Sequence, residues 1–363
     1  MTANEFPSRR LRVIVLPNIP WMASASSYQP GQGPDPDRLR GLLAERGIDM
    51  TALDPLAPPY NPWGRGTPFF AGLDLLRALI VLCSHRSADV VISVFESGAM
   101  VLLLLRRLFF FRPPIALWDV SVGSNWRPQR LVLGVVLRLT DKVFTLTRWQ
   151  KAVAEQRYPL RSPADVIGYA VDENFYHPAF NRGSDYVLSV GEDAARDYVT
   201  LVEAVRDLPA TVILKARFSG ALPRDAAAAI RIVRTRLSFL EFRDLYASAS
   251  MVIVPLRPSD NPSGITSLFE AMAMGKAVIA SDIPMIREFI TPGENGLIVP
   301  VGDAAALRDA IAFLLARPDE QRRLGLNARA YLDAHLSMAS FADRFSASIR
   351  AVVPSGVAGR AAG

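Results

Sequence analysis

Cysteine, histidine and long apolar runs are what this sequence has least of. A single cysteine, Cys83, in 363 residues excludes a disulfide within the chain and any four-cysteine zinc site. The three histidines, His85, His177 and His335, are scattered, so no metal centre built on them is expected. The most apolar stretch, Ala99–Phe111, is broken by Arg106 and Arg107. It is too short for the about 20 residues that span a bilayer. Met1–Arg10 is polar and does not read as an export leader. A cytoplasmic, non-spanning protein is the expectation.

What is present is a large, well-mixed globular composition. The length exceeds what one hydrophobic core usually serves, so two domains are expected. Half of the residues are hydrophobic, 21% are charged, and the net charge is +6. That charge is not spread evenly. Between Val101 and Leu160 ten Lys or Arg face only three acids, Asp119, Asp141 and Glu155. Basic residues beside aliphatic and aromatic side chains suit an anionic membrane surface. A basic face that merely aids solubility is the plainer alternative. Nucleic acid is not expected as a partner, since no nucleic-acid motif or Lys/Arg block accompanies the charge.

Strand-like runs alternate with helix-length segments along the whole chain, which predicts parallel α/β units. Strands are expected at 12–16, 50–53, 89–94, 115–118, 142–146 and 166–168, with helices at 37–46, 72–83, 98–108, 130–140 and 149–157 between them. The second half repeats the pattern, with strands at 185–190, 210–214, 251–256 and 277–280. Helices are expected there at 198–205, 226–234, 242–248, 304–316, 321–335 and 341–352. Asp303 is placed to cap the helix over 304–316.

The stretch Met251–Asp282 is the richest in chemistry. An apolar strand gives way to the polar loop Arg257–Pro262, which feeds a helix starting near Ser263 and Gly264; Gly275 stops it. A helix start carries unpaired N–H groups and partial positive charge, a natural seat for phosphate. Ser263, Thr266 and Glu270 are expected on one face, with Ile265, Leu268, Phe269 and Met272 on the apolar side. Phosphate donors at the tip and a carboxylate further along suit a nucleoside diphosphate with ribose hydroxyls.

This stretch, with Ile283–Glu288 and Gly293–Pro300 after it, resembles the nucleotide-sugar site of GT-B glycosyltransferases, especially the GT4 family. The resemblance implies an α/β fold of two Rossmann-like domains facing across a cleft. The turn Ala170-Val171-Asp172 with Phe175-Tyr-His-Pro178 is similar to that family's domain junction, which gives His177 a linker role. The implied division is 1–177 for the acceptor domain, 178–340 for the nucleotide-sugar domain, and 341–363 for a helix crossing back plus a tail.

By the same resemblance Glu270 holds the ribose, with Asn261, Ser263, Gly264, Ile265 and Thr266 lining the donor site. The family's first glutamate, eight residues earlier, is missing: Pro262 or Asn261 stands there, according to the alignment chosen. Gly191 matches the glycine after the first strand of the second domain, but Glu192 follows it where the family commonly has Arg. Arg196 is the candidate cation for the departing diphosphate and Lys215 a second one. Arg196 can equally be a surface partner of Asp193 or Asp197, and Lys215 a residue leaving the sheet edge. In the first domain Gly31 and Gly33 take the place of a glycine-rich loop. Asp119, at the end of a strand, is the candidate base or orienting group for an acceptor; Glu96 is a similar one.

The function implied is transfer of a sugar from a nucleotide-diphosphate donor to a lipid-linked or polysaccharide acceptor of the cell envelope. Retention, metal independence, no cofactor, and residence on the inner face of the membrane are expected with it. A non-catalytic binding or partner subunit of the same fold is the alternative, and an epimerase a third reading.

Overall fold

The computed structural model describes residues 9–18, 26, 28–55, 75–96, 98–123, 127–183, 186–206, 208–216 and 230–354. They group into two compact units. The first draws on Met1–Tyr28, Asp35–Gly168 and Phe341–Gly363, the second on Gln29–Pro34 and Tyr169–Ser340.

In the first unit the strands are β1 (Leu11–Leu16), β2 (Ile48–Ala52), β3 (Val90–Val94), β4 (Ile115–Trp118), β5 (Lys142–Thr145) and β6 (Asp165–Val166). They form one parallel sheet in the order β2-β1-β3-β4-β5-β6. Helices α1 (Arg38–Glu45), α2 (Leu75–Ser84), α3 (Met100–Leu105), α4 (Arg127–Leu139) and α5 (Arg148–Arg157) connect them. All four residues of β4 are buried, as a parallel strand covered on both faces requires. The start of α2 expected at 72–74 lies outside the described residues, as does the tail beyond 354. The final helix, Met338–Val352, returns to this unit from Phe341 on. Its Phe341 and Phe345 pack on Trp118 with ring centroids 5.7 and 5.2 Å apart.

The second unit contains β7 (Tyr186–Val190), α6 (Tyr198–Val205), β8 (Val212–Lys215), β9 (Ile230–Val233), α7 (Phe239–Ala247), β10 (Ala249–Val254) and α8 (Ile265–Ala273). It continues with β11 (Ala277–Ser281), β12 (Leu297–Val299), α9 (Ala304–Leu315) and α10 (Pro318–His335), and α11 (Met338–Val352) closes the chain. Its parallel sheet runs β12-β11-β10-β7-β8-β9. Asp303 caps α9, accepting from the Ala306 N–H at 2.9 Å.

Two expectations change. The helix expected over 226–234 is not formed at its described end: Ile230–Val233 pairs with Val212–Lys215 as an edge strand. Its β-branched residues suit a pleated surface better than a helix, whatever the alanines before them favour. The division between units falls after Gly168, where the sequence suggested 177. Tyr169–Pro178 packs into the second unit. There the Tyr176 ring meets Tyr246 edge-on at 6.1 Å, and Arg329 donates to the carbonyls of Glu173, Tyr176 and Ala273.

Candidate functional site

In the second unit the site is built where three strand ends converge. Helix α8 begins at Gly264, whose φ of 81° is left-handed. A side chain there would also crowd Leu256 and Val254, so only glycine lets the helix start directly on the end of β10. The far end is closed by Gly275, at φ 64°. Its N–H bonds to Met272 and that of Lys276 to Ala271, the double bond of a Schellman stop. Gly275 in turn lies against Gly325 of α10, where an added methyl would run into the Gly275 carbonyl.

The loop after β7 is zipped onto the loop after β10. Asp197 N–H donates to Pro255, and Arg257 N–H to Ala195. This draws Arg196 beneath the first turn of α8. Its Nη2 donates to Ser267 Oγ at 2.8 Å and its Nε to Asp193 Oδ2 at 2.9 Å. The side chain is only 4% exposed, while Asp193 remains 37% exposed. Nη1 is buried with no hydrogen-bond partner among the described residues. A Cβ at Gly191 would collide with this guanidinium, so the glycine is what admits it. The surface pairing with Asp193 therefore exists, but it belongs to a buried arrangement that also reaches the helix start.

Lys215, at the end of β8, is buried and donates to Glu192 Oε1 at 2.9 Å. Its carbonyl accepts from Gly191 N–H at 3.1 Å. Glu192 thus takes up the lysine's charge at the point where the resemblance led one to expect an arginine.

Glu270 is not a solvated helix glutamate. It is 7% exposed, and Oε2 accepts from the Tyr246 hydroxyl at 2.7 Å. Burial raises its pKa to about 7, against the opposing pull of Tyr246, Tyr176 and the Arg196 charge. Thr266 does not share this environment: it is exposed, and the polar face that turns inward is Ser267 with Glu270. Ile265 is buried as packing and contributes its place in the first turn. Ser263 N–H donates to the Asn261 carbonyl at 2.7 Å, holding the half-buried loop tip before Gly264. Ser267, Tyr246 and Tyr176 are residues the sequence reading missed. Ser267 had a signal in its place four residues after Ser263 and three before Glu270; the tyrosines had none.

Gly33, from the early loop, lies against Phe239 within the second unit, with the ring where a Cβ would be. His177 accepts from Ala179 N–H at 3.1 Å and caps a short 3-10 turn, a structural linker role.

In the first unit Asp119, one residue past β4, has φ at 56°, and Phe95, one residue past β3, has φ at 65°. Phe95 N–H donates to Trp118, and Asp119 N–H to Phe144. Two left-handed residues on adjacent strand ends are a cost that a functional rim can explain. The Asp119 residue is half-buried, yet its carboxyl is enclosed enough to raise its pKa to about 6. Burial is the main cause; Gln150 pulls the other way, and the Glu96 charge adds to the rise. Gln150, also missed, is fully buried at the start of α5, where its N–H is held by the Thr147 cap. Its Nε2 donates to Asp119 Oδ1 at 3.3 Å and to the Val120 carbonyl at 3.0 Å. Glu96 accepts from Ser121 N–H at 3.3 Å. The two carboxyls belong to one polar rim.

The basic segment needs one correction. Arg106 is not available to a surface: it is 17% exposed and paired with Asp141 at 2.6 Å. Lys142 and Lys151 are likewise paired, with Asp165 and Glu155. Arg107, Arg112, Arg127, Arg130 and Arg138 are exposed. No described helix is long and apolar enough to cross a membrane.

Residues 186–317 match the sequence model of the family described as Glycosyl transferases group 1. Among solved structures, sucrose-phosphate synthase from Thermosynechococcus elongatus superposes with a TM-score of 0.71 at 18% identity, covering 94% of this chain and 99% of that one. Anabaena HepE, solved with UDP and glucose, gives a TM-score of 0.68 at 15% identity over 94% of this chain and all 100% of its own. The chain has the GT-B fold and resembles glycosyltransferases of the GT4 family. Alpha-maltose-1-phosphate synthase of Mycolicibacterium smegmatis is 24% identical to this chain over 268 residues, 64% of this chain and 68% of the relative. In GT-B terms the family match falls on the unit that carries Gly191, Arg196, Gly264 and Glu270.

Proposed function

We propose that this glycosyltransferase moves a sugar from a nucleotide-diphosphate donor to a lipid-linked or polysaccharide acceptor in cell-envelope assembly, with retention and without a metal. The observation that carries it is the Gly264 helix start with Arg196 bonded to its first turn at Ser267. A departing diphosphate would meet the unpaired N–H groups of α8 and a buried guanidinium with a free Nη1. Both stabilise charge that grows as the glycosidic bond lengthens. Glu270, ionised, would accept from ribose hydroxyls. Asp119 would receive or orient the acceptor hydroxyl, held by Gln150. Exposed arginines and apolar side chains on α3 and α4 support work at the inner face of an anionic membrane.

The test is a thermal-shift panel of UDP-, GDP-, ADP- and dTDP-sugars, followed by transfer assays with the best donor in the presence of a chelator. A melting point that no nucleotide raises would remove the donor-site reading. Activity abolished by the chelator and restored by a divalent ion would remove metal independence.

One observation favours the second reading, a binding subunit without turnover. The Lys215 charge is already matched by Glu192. Nucleotide binding with neither donor hydrolysis nor transfer would decide for it.

A further inference from the structure

The first unit carries a pocket that neither the donor site nor the Asp119 rim uses. It has a volume of about 370 Å³ and lies between the first turns of α4 and the end of α5. That is at the small end of the about 300–1,000 Å³ typical of ligand pockets. Arg127, Arg130 and Arg157 line it, and no acid among the described residues does. Leu131 and Tyr158 supply apolar walls, and Gly134 leaves part of the wall open. A Cβ added at Gly134 would meet nothing nearer than the Tyr158 ring, at 4.0 Å.

Three guanidinium groups around one small hollow make a phosphate site by charge and by geometry, since each presents a planar fork of donors. The surroundings say what the phosphate is attached to. Leu131 is 75% exposed at the pocket wall, and Val135, one turn further on α4, is 54% exposed. On α3 and the turn that follows it, Leu104, Leu108 and Phe110 are 59, 72 and 84% exposed. A soluble phosphate would have no use for such a rim, whereas acyl chains would cover it.

We propose that the pocket formed by Arg127, Arg130, Arg157 and Gly134 seats the phosphate of an anionic membrane lipid, with Leu131 and Val135 entering the acyl region. This rests on the membrane part of the proposed function and makes it a site of defined chemistry rather than a diffuse basic face.

Two kinds of vesicle test it: phosphatidylcholine doped with phosphatidic acid, and phosphatidylcholine doped with oleate to the same surface charge. The protein binds the phosphatidic acid vesicles more tightly. Arg127→Ala with Arg130→Ala lowers that binding about thirty-fold. Gly134→Leu, which fills the pocket without altering charge and favours the helix, removes the preference for phosphatidic acid over oleate. Arg107→Glu, outside the pocket, weakens both kinds of binding alike. Each variant keeps its melting point and its response to nucleotides, which separates loss of the pocket from loss of the fold or donor site.

Equal binding to the two vesicles, or a Gly134→Leu protein that still prefers phosphatidic acid, overturns the pocket and leaves only general attraction to anionic membranes. Binding to neither overturns the pocket and the membrane reading together. Displacement from phosphatidic acid by inorganic phosphate at equal concentration overturns the choice of a lipid as the source.

Discussion

The Tyr246 hydroxyl donates a 2.7 Å hydrogen bond to Glu270 Oε2, tying the end of α7 to the middle of α8 inside the second unit. A carboxylate has more acceptor sites than the Tyr246 and Tyr176 hydroxyls fill, so Glu270 keeps capacity for a ligand. It also carries a burial penalty that makes its ionisation matter near neutral pH.

Glu270→Ala is expected to weaken nucleoside-diphosphate binding by about ten- to a hundred-fold, the range for lost hydrogen bonds to a charged group. The pH dependence follows from the direction of its shift. The folded pKa is about 7 against the ordinary 4.5, so below 7 the carboxyl is largely protonated. Wild-type affinity should rise as pH passes from 6 to 8, and Glu270→Gln should be flat. Calorimetry at the two pH values checks this; a parallel rise in both proteins would deny Glu270 the role. Its effect on stability has the opposite sense. A raised carboxyl pKa stabilises the fold most fully below 4.5, and that contribution is lost as pH rises through 7.

Arg196→Met is expected to discriminate between ligands. Diphosphate binding should fall about ten- to a hundred-fold, while a nucleoside without phosphate loses little. The fold should tolerate the change, because Asp193 is exposed enough to be rehydrated. Titrations of uridine and UDP side by side give the answer. An equal loss for both would make Arg196 a packing element of the loop.

For Asp119, the rise of the pKa to about 6 predicts an acidic limb near pH 6 in the rate profile, with activity falling below it as the carboxyl protonates. Asp119→Asn should lower kcat by about a hundred-fold or more, the usual range for a lost general base. Gln150→Leu removes a hydrogen bond that favours the ionised form, so the limb should move to higher pH. A profile that neither variant alters would leave Asp119 a structural residue of the rim.

Lys276 gives a test of stability alone. Its buried ammonium donates to the Ala247 and Ala249 carbonyls at 3.0 and 2.8 Å, and burial lowers its pKa to about 8 from 10.5. Between those values the unfolded chain binds the proton better than the folded one, so stability should rise with pH across that window. The melting-point difference between wild type and Lys276→Met should therefore widen in favour of wild type from pH 7.5 to 9.5. A difference that stays constant would mean the ammonium is better hydrated than its surroundings suggest.

Much of the architecture was legible because buried parallel strands are written as short β-branched runs. Ile115–Trp118 reads from sequence with the bounds it has in the structure. The start of α8 was legible too, since a polar loop, a glycine and an apolar helix face leave few choices. The second sheet's edge was not. At 230–233 an alanine-rich lead favours helix, and only pairing with β8 decides otherwise. Nor could the inward polar face of α8 be resolved from periodicity, because Thr266 and Ser267 both lie within one turn of Glu270. Residues that act through distant partners left no trace. Gln150 meets Asp119 across 31 positions, and Arg106 is neutralised by Asp141 across 35.

The contact between Gly325 and Gly275 ties α10 to the end of α8. Because two bare peptides touch there, α10 acts as a backstop at the closing end of α8. Even a methyl group at 325 would act as a wedge, prising the two helices apart where they now touch.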